Sequence, residues 1–406
     1  MKNTLLKLMM LAVAGFIGIN AVGQTAYVTN ENENTVTVIN VATNNVITTI
    51  VVDTMPQGVC ISHDGTKVYI TNAVSNTVSV INTATNTIIA TIPVGTYPLG
   101  ITESLDGTKV YVGNFYVNTI YIINTTINTV VDSIVGIAFP CGVSISPDGT
   151  KIFASKINDS SVSVINTTTH TVLATILVGN TPRGIIVSSD GSKLYVANKG
   201  DGTVSVINTL TNSIYATIPV GYDPIGIAIS PDGTRVYVSN LVSNTISVIN
   251  TSNNTVIATI SVGSYPYGVS VSPDGTKVYV ANQIDNTISV INTTTNTVSN
   301  TIAVGHSPIA FGNFISSATT GIPSISSPTP SILIYPNPTN SILNIRTQWT
   351  IDNGQLTITD VMGNEVYHET MPNVNCQLSI VNFPAGLYFY EIRSSNDVMR
   401  GKFVKE

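Results

Sequence analysis

Charged residues are scarce in this chain. Asp, Glu, Lys and Arg make up 9% of its 406 residues, whereas an ordinary soluble domain has roughly 25%. The formal net charge is −6, and no run of Lys or Arg occurs. Because nucleic-acid binding requires a clustered positive surface, the sequence predicts no nucleic-acid partner. Asn and Thr take over as the polar surface groups.

Metal-binding and catalytic motifs are also missing. The four histidines and three cysteines show neither His-x-x-x-His nor Cys-x-x-Cys spacing, so a zinc or haem site has no support. There is no Gly-rich phosphate loop and no Gly-x-Ser-x-Gly motif. We therefore predict no catalytic residue, no metal and no cofactor. The cysteines are odd in number and are interpreted as small buried hydrophobes: Cys60, Cys141 and Cys376.

Long apolar runs are confined to the N-terminus. Lys2 and Lys7 precede an apolar stretch at 8–19, and small residues follow at Ala21 and Gly23. This pattern predicts a secretory signal peptide, residues 1–23, cleaved between Gly23 and Gln24. The alternative is an uncleaved anchor helix. No later apolar stretch is long enough to cross a bilayer, so we predict no transmembrane span in the mature protein.

The chain does contain a repeat with a period of 42 residues. A Tyr-Val-Thr-Asn tetrad begins at Tyr27, and related tetrads begin at Tyr69, Tyr111, Phe153, Tyr195, Tyr237 and Tyr279. This period fits a four-stranded propeller blade. We therefore predict an all-β fold, with a seven-bladed β-propeller over residues 24–316.

One repeat, from Pro224 to Gly263, illustrates the blade. Its apolar and polar residues alternate as in strands, over four segments: 226–230, 235–239, 245–249 and 255–260. A Pro-Asp-Gly turn joins the first two segments. The recurring Asp-Gly pairs are interpreted as turn formers rather than calcium ligands. No helical period appears.

The two ends of the repeat array predict how the propeller closes. The first repeat begins at the second strand of a blade, whereas the last is followed by a surplus first strand. Ser316 and Ser317 then stand where the other repeats have Asp-Gly. Pairing the two ends removes two open sheet edges. We expect blade one to combine two segments: Ala26–Ile50 and Ile309–Ile315.

The tetrad, its period and the Pro-Asp-Gly-Thr-Lys turn together resemble the YVTN family of β-propeller repeats, over about residues 25–316. The resemblance implies a propeller of the kind common in secreted and cell-surface microbial proteins, including surface-layer proteins. It implies no single activity, because the family has none in common.

A different pattern follows the propeller. Residues 317–331 are rich in Ser, Thr and Pro and carry no charge, which predicts an extended linker. Residues 332–406 then show short strand-like segments separated by turns, which predicts a small immunoglobulin-like β-sandwich. The segments are 342–345, 356–359, 365–368, 377–380, 387–392 and 400–404.

This C-terminal region closely resembles the type A sorting domain of the type IX (Por) secretion system. The resemblance rests on the order and terminal placement of Pro336, Asn337, Pro338, Gly363, Pro384, Gly386, Tyr388, Ile392, Lys402 and Lys405. It implies a Bacteroidota-like host, passage through the periplasm and contact with the type IX machinery. The cargo would then be secreted, or anchored to lipopolysaccharide at the outer-membrane surface. The alternative is an ordinary immunoglobulin-like adhesive domain.

Ligand contacts are expected where the repeats differ, because a residue repeated in every blade serves packing. The second-to-third-strand loops and the fourth-to-first-strand connections should share one face, and there the repeats diverge. We call it the variable face; its candidate ligand residues are Lys156, Arg183, Lys199, Tyr97, Tyr222, Tyr265 and Tyr267. Aromatic rings with a few charges suit a glycan or peptide. The alternative is local salt bridging with Asp159, Asp201 and Asp223.

Three functions remain open from the sequence. The first is a secreted or cell-surface non-enzymatic module that binds a protein or a glycan. The second is a propeller enzyme, such as a lactonase or a quinoprotein-like oxidoreductase, which would need clustered carboxylates or histidines at the channel mouth. The third is a purely structural coat protein. The missing catalytic motifs favour the first.

Overall fold

The computed structural model describes residues 24–316, 332–335, 342–347, 354–371, 375–393 and 398–405. The predicted signal peptide with Gly23, the linker at 317–331 and the Pro336-Asn337-Pro338 motif lie outside the described residues. Two compact units divide the chain, Met1–Gly321 and Ile322–Glu406. Among the described residues, no helix is long and apolar enough to cross a membrane.

The first unit is a propeller of antiparallel sheets, one for each repeat. Blade one contains β1 (Thr25–Asn30), β2 (Thr35–Asn40) and β3 (Asn45–Val51). Blade two contains β4 (Pro56–Ile61), β5 (Lys67–Asn72), β6 (Thr77–Asn82) and β7 (Thr87–Pro93). Blade three contains β8 (Pro98–Glu103), β9 (Lys109–Asn114), β10 (Thr119–Asn124) and β11 (Thr129–Val135). Blade four contains β12 (Pro140–Ile145), β13 (Lys151–Lys156), β14 (Ser161–Asn166) and β15 (Val172–Leu177).

The remaining blades follow the same order. Blade five contains β16 (Pro182–Val187), β17 (Lys193–Asn198), β18 (Thr203–Asn208) and β19 (Ser213–Pro219). Blade six contains β20 (Pro224–Ile229), β21 (Arg235–Asn240), β22 (Thr245–Asn250) and β23 (Thr255–Ser261). Blade seven contains β24 (Pro266–Val271), β25 (Lys277–Asn282), β26 (Thr287–Asn292) and β27 (Thr297–Ala303). A 3₁₀ turn, Lys199–Asp201, interrupts the otherwise all-β unit and was not predicted.

The tetrad residues explain why the repeat folds this way. The ring of Tyr69 is fully buried between neighbouring sheets. Thr71 Oγ1 accepts from Gly58 N at 2.8 Å and donates to Leu99 O of the next blade at 3.0 Å. Asn72 Nδ2 donates to Thr77 Oγ1 and Ser79 Oγ across the loop that follows, at 3.0 and 2.9 Å. The tetrad therefore packs blades together and shapes the second-to-third loop. It also joins the first strands of neighbouring blades, which line the channel and are called the inner strands.

The closing strand completes blade one, as the sequence predicted. Ile309 N donates to Thr29 O, Tyr27 N donates to Phe314 O and Ser316 N donates to Thr25 O, at 2.9, 2.8 and 2.8 Å. This segment runs antiparallel to β1 and supplies the fourth strand of that blade.

The predicted alignment of the closing strand was wrong by two residues. Pro308 pairs with Asn30 of β1, as Pro56 pairs with Asn72 of β5. At the other end of β1, Ala26 pairs with Ile315, whereas the spacing of blade two would place residue 313 there. The surplus residues form a bulge in which Ala310 and Gly312 have positive φ, 46° and 125°. Within the bulge, β28 (Phe311–Asn313) pairs in parallel with β4.

The position of Ser316 changes as a consequence of the bulge. Its N–H bonds to Thr25 O as Ser62 N bonds to Lys67 O. Ser316 therefore takes the place of Ser62, ahead of the turn, and not the place of Asp64 as the sequence spacing suggested.

The second unit is a small β domain of two sheets. One sheet has the order β29-β30-β33 and the other β32-β31-β34-β35. Its strands are β29 (Ile332–Tyr335), β30 (Ile342–Thr347), β31 (Gly354–Thr359), β32 (Glu365–Met371), β33 (Asn375–Ser379), β34 (Gly386–Arg393) and β35 (Val398–Lys405). The first of these was not predicted; it pairs antiparallel with β30. A core that includes Leu356, Tyr388 and Phe403 lies in this domain.

Candidate functional site

The loops and connections share one face, as predicted. Asn76 Oδ1 in a second-to-third loop accepts from the N–H of Tyr97 in the next connection at 2.9 Å. Asn76 and Tyr97 both have positive φ, 58°. The same asparagine-to-connection bond recurs in other blades, at Asn34, Asn118, Asn244 and Asn286. The backbone of the variable face is thus built by the repeat, and only its side chains vary.

An apolar plug closes the channel at the variable face. Each inner strand places the residue after its proline around the channel axis, and most of these residues are buried. We call the apolar cluster at this level the plug: Leu99, Cys141, Ile157, Ile225, Leu241, Ile309 and Phe311. Arg183 and Tyr267 belong to the same ring of positions but remain partly exposed. They lie on strands β16 and β24, and not in the loops and connections where ligand contacts were expected.

Aromatic side chains gather on the variable face beside the plug. The ring of Phe115 lies 5.0 Å from Tyr116 and 5.2 Å from Phe139, centroid to centroid, and Tyr97 lies 5.2 Å from Tyr116. These edge-to-face contacts join blades two to four. Tyr116 is 58% exposed, so the cluster has a free aromatic surface. We call these four residues the aromatic cluster.

Two of the three predicted cations are paired with carboxylates. Lys156 Nζ lies 3.0 Å from Asp159 Oδ2, and Lys199 Nζ lies 3.4 Å from Asp223 Oδ2. Lys156 is buried at the position where the other tetrads have asparagine. The salt-bridge alternative therefore describes both lysines. Asp201 instead accepts from the backbone and side-chain N–H of Asn180.

The other predicted tyrosines, Tyr222, Tyr265 and Tyr267, lie outside the aromatic cluster. Tyr222 is 76% exposed and Tyr265 is 39% exposed, both on connections of the variable face. Tyr267 stacks edge-to-face with Phe311 of the plug at 6.1 Å. Burial raises the pKa of Tyr267 and also that of Tyr97. Both phenols are therefore neutral at physiological pH.

The channel is nearly filled below the plug. A cavity of about 40 Å³ remains there, lined by the inner-strand glycines together with Phe311 and Gly312. Towards the Asp-Gly face the channel widens to about 560 Å³. The wider part of the channel therefore lies towards the Asp-Gly face.

A histidine–glutamate pair at the Asp-Gly end of the channel was missed by sequence reasoning. Glu103 is 3% exposed, and its Oε2 accepts from His63 N at 2.7 Å and contacts His63 Nδ1 at 2.8 Å. This hydrogen bond, with the charges of Glu103 and Asp64, holds the pKa of His63 above its usual value against the opposing effect of burial. The signal was present: the other repeats have Ile or Val where Glu103 stands.

The thiol of Cys60, which lies beside this pair, is neutral at physiological pH. Burial, together with the Glu103 charge, raises the pKa of the Cys60 thiol to about 12. Cys60 and Cys141 are buried free thiols, as predicted. In the described parts of the chain, no three His, Cys, Asp or Glu side chains are grouped so that they could hold a metal ion.

The described sorting-motif residues have structural roles. Gly363 has φ 84° and turns the chain between β31 and β32. Tyr388 donates from its hydroxyl to Pro384 O at 2.7 Å and stacks on Phe403 at 5.5 Å. The Gly386 position opens β34, and Lys402 lies exposed on β35 with Lys405 at its end. The motif thus stabilises the small β domain around its C-terminal strands.

Comparison with known proteins supports both units. Residues 333–406 match the family model described as the secretion system C-terminal sorting domain. Residues 211–306 match the model described as lactonase, 7-bladed β-propeller. No match was found among curated proteins.

Solved structures show the propeller fold. The chain is similar to the structure titled "Kuenenia stuttgartiensis Hydrazine Synthase", with 25% identity and a TM-score of 0.62 over 66% of this chain and 92% of that one. It also resembles a functionally unknown protein from Desulfotomaculum acetoxidans, with 15% identity and a TM-score of 0.63 over 71% and 99%. The second similarity shows the fold alone. The chain is a seven-bladed β-propeller followed by a small β domain with the features of a secretion system C-terminal sorting domain.

Proposed function

We propose that this protein is a non-enzymatic binding module, exported by the type IX secretion system, whose variable face holds a protein or glycan partner. The observation that carries the proposal is the aromatic cluster. It is the place where side chains of three successive blades depart from the repeat and leave an exposed aromatic surface. Aromatic residues with adjacent polar groups are typical of recognition surfaces.

Export follows from the C-terminal unit. The match at residues 333–406 supports delivery to the cell surface or the medium through the type IX machinery. The N-terminal signal peptide read from the sequence would provide the first step, into the periplasm. A partner outside the cell is therefore the relevant class.

A second candidate function is a propeller enzyme. Two observations favour it: the lactonase-type match at residues 211–306 and the His63–Glu103 pair at the wide end of the channel. A buried carboxylate that orients an imidazole is an arrangement used in general acid–base chemistry. This site would lie on the Asp-Gly face, opposite the aromatic cluster.

An array of glycans and extracellular proteins, probed with the purified mature chain, tests the proposal. Tyr116→Ser should weaken any hit at least about tenfold, because it removes the most exposed ring of the cluster. Leu210→Ser is the matched control: Leu210 is 87% exposed on the Asp-Gly face. Equal loss in both variants, or turnover of a lactone that depends on His63, would contradict the binding proposal.

A further inference from the structure

Arg183 is a cation without a carboxylate partner in the described parts of the chain. Its Nη1 lies 3.8 Å from Cys141 Sγ, a weak contact, and its Nε is buried without a hydrogen-bond partner. A guanidinium offers five N–H donors in a planar fork and stays protonated in proteins. Arg183 therefore has at least one buried N–H group, at Nε, without an acceptor.

The neighbours of Arg183 do not neutralise it. Burial raises the pKa of the Cys141 thiol, although the Arg183 charge acts in the opposite direction, so Cys141 is a neutral thiol. Tyr267 and Tyr97 are neutral phenols. Asp159 and Asp223 are paired with lysines. Glu31, whose charge also acts on Tyr97 and Tyr267, accepts from the side-chain amides of Gln57 and Gln283 and makes no ion pair with Arg183. Within the described residues, Arg183 is thus a cation of the variable face that has no ion-pair partner.

The buried side chains of the plug, at the same level of the channel as this charge, are mostly apolar. Leu99, Ile157, Ile225 and Leu241 belong to the plug, and their side chains offer no hydrogen bonds to a ligand. A half-buried charge with unmade hydrogen bonds is unfavourable unless a partner supplies the acceptor. The ligand body that suits these walls is therefore apolar, whereas sugar hydroxyls would lose their partners there.

We propose that Arg183 and the plug bind a carboxylate carried on an apolar body, specifically the C-terminal residue of a peptide or protein that ends in an aliphatic side chain. A carboxylate matches the guanidinium fork with two parallel hydrogen bonds. The aliphatic side chain lies on the plug, beside Tyr267. This inference rests on the proposed function and names the class of its partner.

Peptide binding tests the inference. The probe is a fluorescein-labelled Gly-Ser-Gly-Ser-Leu peptide with a free carboxylate, and the control is the same peptide ending in an amide. We expect the mature chain to bind the acid at least tenfold more tightly than the amide, and Arg183→Gln to remove the difference. Equal binding of acid and amide, no binding of the acid at millimolar concentration, or Arg183-dependent binding of an acidic oligosaccharide instead would overturn it.

A second measurement tests the unpaired charge without a ligand. Three other blades have leucine or isoleucine at the equivalent position, namely Leu99, Ile225 and Ile309, so Arg183→Leu should fold and melt at the same or a higher temperature than the wild type. A clear fall in melting temperature would show that Arg183 is already satisfied, and would overturn the inference.

Binding of the partner found on the array distinguishes failure of this inference from failure of the proposed function. If the partner is lost in Tyr116→Ser but unchanged in Arg183→Gln, the binding function stands and the carboxylate site falls. If neither variant affects the partner, both fall.

Discussion

Single residues explain the close approach of the inner strands. At Gly226, an added Cβ would lie 2.2 Å from Tyr267 O of the next blade, which no side chain could accommodate without backbone movement. The equivalent position in blade one is Ala310, in a bulge that has its own geometry. In blades two to seven, a glycine lies two residues after the proline of the inner strand. It is required because a side chain has no space there, and not because of its backbone angle.

We predict that Gly226→Ala lowers the free energy of unfolding by at least about 1–3 kcal/mol, because the methyl group forces two inner strands apart. Thermal unfolding followed by circular dichroism measures it. Gly113→Ala is the matched control, since other blades already have Ala197 and Ala281 at that position. Equal melting temperatures for the two variants would contradict the packing account.

The His63–Glu103 pair makes stability depend on pH. The folded pKa of His63 is raised, so protonated His63 stabilises the fold fully below the unfolded pKa of about 6.5. That contribution is lost as pH rises through the folded pKa. The groups that face His63 are Glu103 and Asp64.

We predict that His63→Gln lowers the melting temperature most near pH 5 and progressively less as the pH rises. A pH series of melting curves measures the difference from the wild type. His306→Gln, an exposed histidine 3.5 Å from Glu33, is the control and should change little. A difference that is constant from pH 5 to pH 9 would exclude the linkage.

At the scale of elements, the sequence determined most of the fold. The strands of the repeat from Pro224 to Gly263 were predicted within one or two residues, because alternation and turn residues both recur in every blade. The bulge at Ala310 and Gly312 could not be predicted, since it has no counterpart in the other repeats. The 3₁₀ turn at Lys199–Asp201 was missed for a similar reason.

The candidate site was less predictable than the fold. Sequence divergence predicts a variable face, but it could not show that Lys156 and Lys199 are paired while Arg183 has no ion pair in the described residues. The pairing of Lys199 with Asp223 depends on a contact between blades, and that of Lys156 with Asp159 depends on the conformation of their shared loop. Differences between the loops of the repeats do not indicate Glu103, because this residue lies at the end of an inner strand.

The closing strand should be essential for the propeller. We predict that a chain ending at Gly305 aggregates or loses cooperative melting, because β1 is left with an unpaired edge. The matched control ends at Ser316 and keeps the closing strand. Indistinguishable melting curves for the two truncations would show that closure by this strand is unnecessary.

The whole molecule combines a β-propeller with a C-terminal unit that matches the secretion system sorting domain. In a host with a type IX system, we predict that deleting residues 332–406 retains the propeller in the periplasm, because the machinery has nothing to recognise. Fractionation and surface protease digestion measure it. A reporter that carries a signal peptide and residues 317–406 is the reciprocal test and should reach the exterior.

Normal surface display of the truncated propeller would remove the sorting role from the C-terminal unit. Failure of the reporter alone would show instead that the propeller contributes to recognition by the machinery.

If the variable face is the binding surface, a bound partner must protect its loops from solvent. Hydrogen exchange of the mature chain, alone and with the strongest array partner, tests it most directly. With the partner bound, we expect slower exchange in the second-to-third loops and connections around Tyr97, Tyr116 and Arg183. Exchange in the Asp-Gly turns should not change. Protection confined to the Asp-Gly face, around His63 and Glu103, would contradict it.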